Sequence, residues 1–264
     1  MDLQIKGKVA FISGSTSGIG FAIAHRLLLE GAEVIINGRS NETVSKALAE
    51  LKHLVDGAIV TGIAADFSKV EDVNFLVSKL PTVDILVNNA GIFEPKEFAD
   101  ITDEDWFRFF EVNVMSGIRL SRHCFPKMLD NNWGRIIFIS SESAVFIPDE
   151  MIHYGMTKTA QLAVSRGLAE LTKGTKVTVN SILPGPTKSS GVSTFINDLA
   201  KQSGTSIEET EKLFFEKMRP SSLLQRFAST DEIANTVAYY VSELASATNG
   251  ASIRVEGGLI RSIT

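Results

Sequence analysis

The stretch Tyr154-Gly-Met-Thr-Lys158 places a phenol and an ammonium one helical turn apart. Side chains at i and i+4 share a helix face. A fixed cation beside a tyrosine favours the phenolate and lowers a pKa that starts near about 10. A tyrosine tuned in this way exchanges protons with an alcohol or carbonyl near neutral pH. The same spacing also arises as a plain surface pair on amphipathic helices, so the rest of the chain must decide between the two.

A second constellation is the turn Ser13-Gly14-Ser15-Thr16-Ser17-Gly18-Ile19-Gly20, between a strand-like run and a helix-like one. Its glycines allow positive φ and close approach of the backbone to a ligand. The helix that follows offers free N–H groups and a positive dipole end to a pyrophosphate. The spacing G-x-x-x-G-x-G differs from the common dinucleotide fingerprint G-x-G-x-x-G, but its placement predicts a nucleotide site. A ribose with free hydroxyls calls for an acid about twenty residues further on. That position is Gly38, and Arg39 follows it with a planar fork suited to a 2′-phosphate. NADP(H) is therefore favoured, with NAD(H) the alternative if Asn37 serves the ribose. Asp66 after the third strand could accept from an adenine amino group or cap the next helix. Asn88-Asn89-Ala90-Gly91 after the fourth could lie against a flat ligand or form a plain turn.

Positioning these groups falls to alternating short apolar runs and longer amphipathic ones. Strands are expected at residues 9–12, 34–36, 58–60, 85–87, 136–139, 177–179 and 252–255, with helices at 19–30, 42–54, 70–80 and 231–244. Near-continuous apolar strands separated by helices predict an α/β fold: a doubly wound parallel sheet, covered on both faces, with right-handed crossovers. One domain over residues 1–264 is the economical reading. From Gly185 to about Pro220 no strand is expected. This Ser/Thr/Lys-rich stretch contains Phe214-Phe215 and reads as a substrate lid over about 186–220, or else as a surface excursion.

The composition narrows the function classes. The 264 residues are 44% hydrophobic and 22% charged, and the net charge of −5 offers no basic field to nucleic acid or anionic lipid. No apolar run is long enough to span a membrane, and the N-terminus does not read as a signal peptide. The single cysteine, Cys124, is expected to be a buried inert thiol in a reducing cytoplasm. Four scattered histidines suggest no metal site.

Taken in order, Ser-Gly-x-x-x-Gly-Ile-Gly, Asn-Asn-Ala-Gly, a serine ahead of Tyr-x-x-x-Lys, and Pro184-Gly185 resemble the classical short-chain dehydrogenase/reductase family across essentially the whole chain. The resemblance implies a Rossmann-fold oxidoreductase with catalytic Asn113, Ser141, Tyr154 and Lys158. Ser141 is chosen over Ser140 because the family's Ser-to-Tyr interval is thirteen, and Ser140 would then face the other way. Tyr154 would donate a proton to the substrate oxygen while Ser141 hydrogen-bonds it. Lys158 would hold the nicotinamide ribose and lower the Tyr154 pKa, and Asn113 would position a water linking Lys158 to solvent. The same resemblance assigns cofactor contacts to Gly14, Ser15, Ser17, Gly18, Ile19, Gly20, Arg39, Asp66, Phe67, Asn89, Ala90, Gly91, Tyr154, Lys158, Pro184, Gly185 and Thr187. Departures from the family pattern, such as Ser13, Phe67, Ser189 and Glu256, remove no catalytic group.

Ser141, Tyr154, Phe93, Phe146 and His153 are expected to contact the substrate, with Met151, Phe195 and Phe214 as further pocket candidates. His153 would line the mouth or sit on the helix surface, and Glu142 is expected to point into solvent. A small carbonyl or alcohol is the implied partner: a 3-oxoacyl group, a sugar or polyol, or a steroid-like ketone. Assembly as a homo-oligomer, tetramer or dimer, is implied as well. The competing class is a nucleotide-sensing protein that kept the fold without the chemistry, which the retained Tyr154 and Lys158 disfavour.

Overall fold

The computed structural model describes residues 1–263, so Thr264 lies outside the described residues. The chain runs β1 (Val9–Ile12), α1 (Gly18–Leu29), β2 (Glu33–Gly38), α2 (Asn41–Leu54), β3 (Val60–Ala64), α3 (Val70–Lys79), β4 (Ile85–Asn88) and α4 (Asp103–Phe110). It continues with α5 (Ser116–Asp130), β5 (Gly134–Ile139), α6 (Ile152–Glu170), β6 (Val177–Pro184), α7 (Ser190–Ser203), α8 (Ile207–Leu213), α9 (Thr230–Tyr240) and β7 (Ser252–Val255). The strands form one seven-stranded sheet in the order β3-β2-β1-β4-β5-β6-β7. Every pairing is parallel.

Alternation of side chains across the sheet builds two cores. Ala10 and Ile12 of β1 point to the layer containing Ile23 and Leu27 of α1, Leu51 of α2 and Val237 of α9. Phe11 points the other way, toward Leu76 of α3 and Leu120 and Phe125 of α5. Each fully buried Leu, Ile or Phe contributes about 1.5–3 kcal/mol. Central strands need apolar residues on both faces, and every residue of β4, β5 and β6 is buried.

The edge strand is the clearest departure from the expected elements. It begins at Val60 rather than Ala58 and extends to Ala64. The turn at Gly57, with φ of 70°, leaves the Ile59 side chain 59% exposed, although its carbonyl already accepts from Val34 N–H. An edge strand needs apolar residues on one face only, so its sequence pattern is the weakest of the seven.

Strand order reverses between β1 and β4, and in open α/β sheets ligands bind outside the carboxyl ends of the strands at such a point. The stretch expected as a lid contains α7, α8 and a π-helical turn over Phe214–Met218. Ile196, Phe214, Phe215 and Phe227 form a small separate core beneath it.

Candidate active site

Three elements deliver the four groups expected to be catalytic. Tyr154 and Lys158 lie in the first turns of α6. Ser141 follows the buried end of β5, where Ser143 N–H donates to its Oγ at 3.1 Å. Ser140 also borders the cleft, but its hydroxyl is engaged, donating to the Lys158 main-chain oxygen at 2.9 Å. Asn113 sits in a π-helical turn, Glu111–Met115, leading into α5. Such turns widen a helix and often occur at functional sites.

The Asn113 side chain ties three elements together. Its Oδ1 accepts from Ile92 N–H at 2.8 Å, and its Nδ2 donates to Ile92 O and Thr157 Oγ1, each at 3.0 Å. Its main-chain oxygen accepts from Gln161 Nε2 at 2.5 Å. Lys158 Nζ donates to Ile139 O at 2.9 Å and reaches Gln161 Oε1 at 3.4 Å. Gln161, one turn beyond Lys158, was not singled out in the sequence; its position on the Lys158 face of α6 was the available signal.

Electrostatics reverse one expectation. Burial, reinforced by the Glu142 carboxylate, pushes the Tyr154 phenol above its usual value, and the Ser141 hydroxyl offsets this only in part. Burial also lowers the Lys158 ammonium to about 8, with Glu142 acting the other way. In the chain without cofactor, desolvation thus outweighs the lysine's pull on the tyrosine. The Lys158 ammonium sits 5.5 Å from the centre of the Tyr154 ring.

Three sequence expectations near the site are corrected. Glu142 does not point into solvent: it is buried, and the Ser141 hydroxyl donates to its Oε2 at 2.5 Å. Burial raises its carboxyl pKa, against the opposing hydrogen bond from Ser141 and the charge of Arg219. His153 neither lines the mouth nor lies on the surface. It is fully buried, with its ring 4.0 Å from that of Phe109 and 5.9 Å from the indole of Trp106. Phe146 is 53% exposed and stands outside the cleft.

The cleft itself has a volume of about 230 Å³. Ser141, Tyr154 and Lys158 line it together with Ile19, Asn89 and Gly91 at the glycine-turn end. Pro184, Gly185 and Thr187 after β6 line it too, and so do Phe93, Met151, Phe195 and Phe214. Phe93 meets Tyr154 edge-on, with ring centres 6.4 Å apart.

The glycine turn is shaped for close approach. A Cβ on Gly20 would lie 2.5 Å from both Gly14 O and Asn89 Nδ2. Asn89 Nδ2 donates to the Ser13 and Gly14 carbonyls at 2.9 and 2.8 Å, and Ser13 Oγ accepts from the N–H groups of Asn89 and Ala90. Ser15 Oγ is buried in the turn, donating to Ile12 O and accepting from Asn37 N–H. Ser17 is the exposed N-cap of α1 and makes no side-chain cap, so the N–H groups of Ile19 and Gly20 lack that partner. A tight, braced turn opening onto an uncapped helix start fits a dinucleotide phosphate.

Past β2, Arg39 is exposed and makes no ion pair among the described residues. Asn37 is not available to a ribose: its Oδ1 accepts from Gly14 N–H at 3.0 Å and its Nδ2 donates to Ile63 O at 3.1 Å. Burial pushes the Asp66 carboxyl up, but Ser68, Lys69 and Arg39 together bring it below its usual value. Its Oδ1 accepts from Ser68 N–H at 2.9 Å, a local turn bond. The Phe67 side chain belongs to the core over α3, so only its main chain can meet a ligand. Cys124 is buried, and burial pushes its thiol up to about 12. Among the described residues there is no group of metal-binding side chains and no helix long and apolar enough to cross a membrane.

Comparisons with known sequences and structures identify the family. Residues 8–199 match the family model described as short chain dehydrogenase. The chain is 51% identical to the uncharacterized oxidoreductase YvrD of Bacillus subtilis (strain 168), over all of both chains. It is 33% identical to the 3-oxoacyl-[acyl-carrier-protein] reductase FabG of Aquifex aeolicus (strain VF5), over 98% of this chain and all of that one. The L-sorbose reductase of Gluconobacter frateurii, solved in complex with NADPH and L-sorbose, superposes with a TM-score of 0.93 at 32% identity over all of both chains. The chain belongs to the short-chain dehydrogenase/reductase family. It is an NAD(P)-dependent oxidoreductase acting on carbonyl or alcohol groups.

Proposed function

We propose that the protein is an NADP(H)-dependent reductase of a small ketone, working with Ser141, Tyr154 and Lys158. The observation that carries this reading is the convergence of those three side chains in one cleft with the glycine turn. When bound, the nicotinamide supplies the hydride that the carbonyl carbon accepts. The turn Gly14–Gly20 and the start of α1 hold the pyrophosphate, and Lys158 donates to the nicotinamide ribose. Arg39 takes the 2′-phosphate. This preference for NADP(H) rests on the absence of an acid after β2 and on the NADPH in the L-sorbose reductase complex.

Tyr154 gives its proton to the carbonyl oxygen, and its raised pKa keeps that proton in place at neutral pH. Ser143 N–H fixes Ser141 Oγ, so the serine hydrogen can turn from Glu142 toward the substrate oxygen. Gln161, itself bonded to the Asn113 main chain, and the Ile139 carbonyl hold Lys158 against the end of β5. Phe93, Phe195 and Phe214 exclude water from the carbon skeleton. A 3-oxoacyl substrate is the second reading, supported by the likeness to the Aquifex aeolicus reductase.

NADPH oxidation against a panel of ketones, keto sugars and acyl thioesters tests the reading. Tyr154→Phe is expected to lower turnover by about 10²–10⁴-fold, the worth of one proton donor, while cofactor still binds. Wild-type turnover in that variant removes Tyr154 from the mechanism.

A further inference from the structure

Beside Ser141 lies a pair of buried charges that the reduction itself does not require. Glu142 is 6% exposed and Arg219, at the end of the lid's π-helical turn, is 7% exposed; both line the cleft. Arg219 Nη1 donates to Met218 O at 2.8 Å and Nη2 to Glu150 Oε1 at 3.0 Å. Its Nε is buried with no hydrogen-bond partner. The nearest acceptor of opposite charge, Glu142 Oε1, stands 3.9 Å away, too far for a hydrogen bond. A buried donor left without an acceptor is unfavourable, so the gap calls for a partner. A separation of this size between two polar groups is the kind that a third group bridges.

We propose that Glu142 and Arg219 form a hydroxyl-recognition subsite, and that the substrate is a hydroxyketone carrying a hydroxyl on a carbon next to the reacting carbonyl. This rests on the ketone-reductase reading above and narrows it.

The chemistry of the gap selects the group. Nε–H must donate and Oε1 must accept, so the bridging atom has to accept and donate at once, which a hydroxyl does. A carbonyl oxygen satisfies only the arginine, and an ammonium only the glutamate. A carboxylate or phosphate faces Glu142 and Glu150 against a single guanidinium, so anionic substrates are disfavoured.

Position follows from the other oxygen of the same carboxyl group. Glu142 Oε2 is bonded to Ser141 Oγ, the atom that meets the reacting oxygen. The subsite therefore adjoins the carbonyl site, with one carboxyl group shared between them, which places a hydroxyl on a neighbouring carbon within its reach. The facing wall of Phe93, Phe195 and Phe214 suits the carbon skeleton.

Matched substrates test this: acetoin against butanone, and hydroxyacetone against acetone, each with saturating NADPH. Wild type is expected to favour the hydroxylated member by about 10-fold or more in kcat/KM, since a site built to bond a hydroxyl rejects the analogue that lacks it. In Arg219→Met, which removes Nε while keeping an apolar stem, that ratio should fall toward one, chiefly through KM of the hydroxyketone. Glu142→Gln should lower the ratio as well, and melting curves report whether either variant folds. The wild-type ratio needs no variant, so equal efficiency on both members overturns the subsite by itself. A preference that survives in a folded Arg219→Met means the gap holds a structural water only, and also overturns it. NADPH binding without reduction of any ketone would instead bring down the ketone-reductase reading, and this one with it.

Discussion

The side-chain amide of Gln161 joins the two halves of the site: Nε2 donates to the Asn113 main-chain oxygen at 2.5 Å while Oε1 lies 3.4 Å from Lys158 Nζ. One flat group thus links the π-helical turn before α5 to the lysine of α6. Neither polar atom of the Asn113 side chain is left over, since all its bonds go to Ile92 and Thr157. Asn113 acts here as a brace, and the amide of Gln161 occupies a carbonyl that a water could otherwise use.

Gln161→Leu leaves that buried carbonyl without its donor and the ammonium with Ile139 O alone. A loss of about 1–3 kcal/mol in stability is expected. A small shift of Lys158 should also cost about 10- to 100-fold in kcat/KM. Thermal melts and steady-state kinetics on one preparation check both. Unchanged kinetics with a lowered Tm would reduce Gln161 to packing.

Gly20→Ala is expected to destabilise, although the same change in an open helix gains up to about 1 kcal/mol. The new methyl would meet Asn89 Nδ2 and Gly14 O at 2.5 Å and Ser15 Cα at 2.9 Å. Making room displaces Asn89 from the carbonyls of Ser13 and Gly14, at a cost of about 1–3 kcal/mol. NADPH titration should weaken along with the melting temperature. A raised Tm with normal NADPH affinity would mean that the turn yields freely.

The parts of this site that were legible in the sequence are those fixed by local chain geometry. Glycines at a strand–helix turn, a tyrosine and lysine one turn apart, and apolar runs buried on both faces each follow from a few neighbouring residues. Glu142 shows where such reasoning stops. A carboxylate after a strand reads as solvated, and its burial is made tolerable by the Ser141 hydroxyl together with the charge of Arg219, which arrives from the lid. His153 is a similar case, because the aromatic wall that buries it, Trp106 and Phe109, comes from α4. The alternative of Asn37 as a ribose ligand stays open in the sequence because its partners, Gly14 and Ile63, are brought to it only by the fold. Edge strand β3 was misplaced by two residues at its start because exposed Ile59 carries a core-like side chain.

Arg39→Ala addresses cofactor choice. Exposed and outside any ion pair among the described residues, Arg39 gives up no structural bond when removed. A charge-assisted contact to a phosphate is worth about 1.5–3 kcal/mol, so NADPH affinity should fall about 10- to 100-fold. NADH, which lacks the phosphate, should change by less than about 2-fold by the same reasoning. Equal losses for both cofactors would place the 2′ position away from Arg39.

Lys158 gives a pH dependence with two opposite signs. Burial lowers its ammonium from 10.5 to about 8 in the cofactor-free chain. Between those values the unfolded chain binds more protons than the folded one, so stability of the free protein rises with pH across that window. NADPH affinity moves the other way. In the proposed role the charged lysine donates to the ribose, so affinity should hold below about pH 8 and weaken above it by one proton's slope. Lys158→Arg keeps its charge throughout this range and should flatten the binding curve. NADPH fluorescence titrations on both sides of that pH provide the measurement. A flat wild-type curve, or the same inflection in Lys158→Arg, would assign the titration to another group and remove Lys158 from ribose binding.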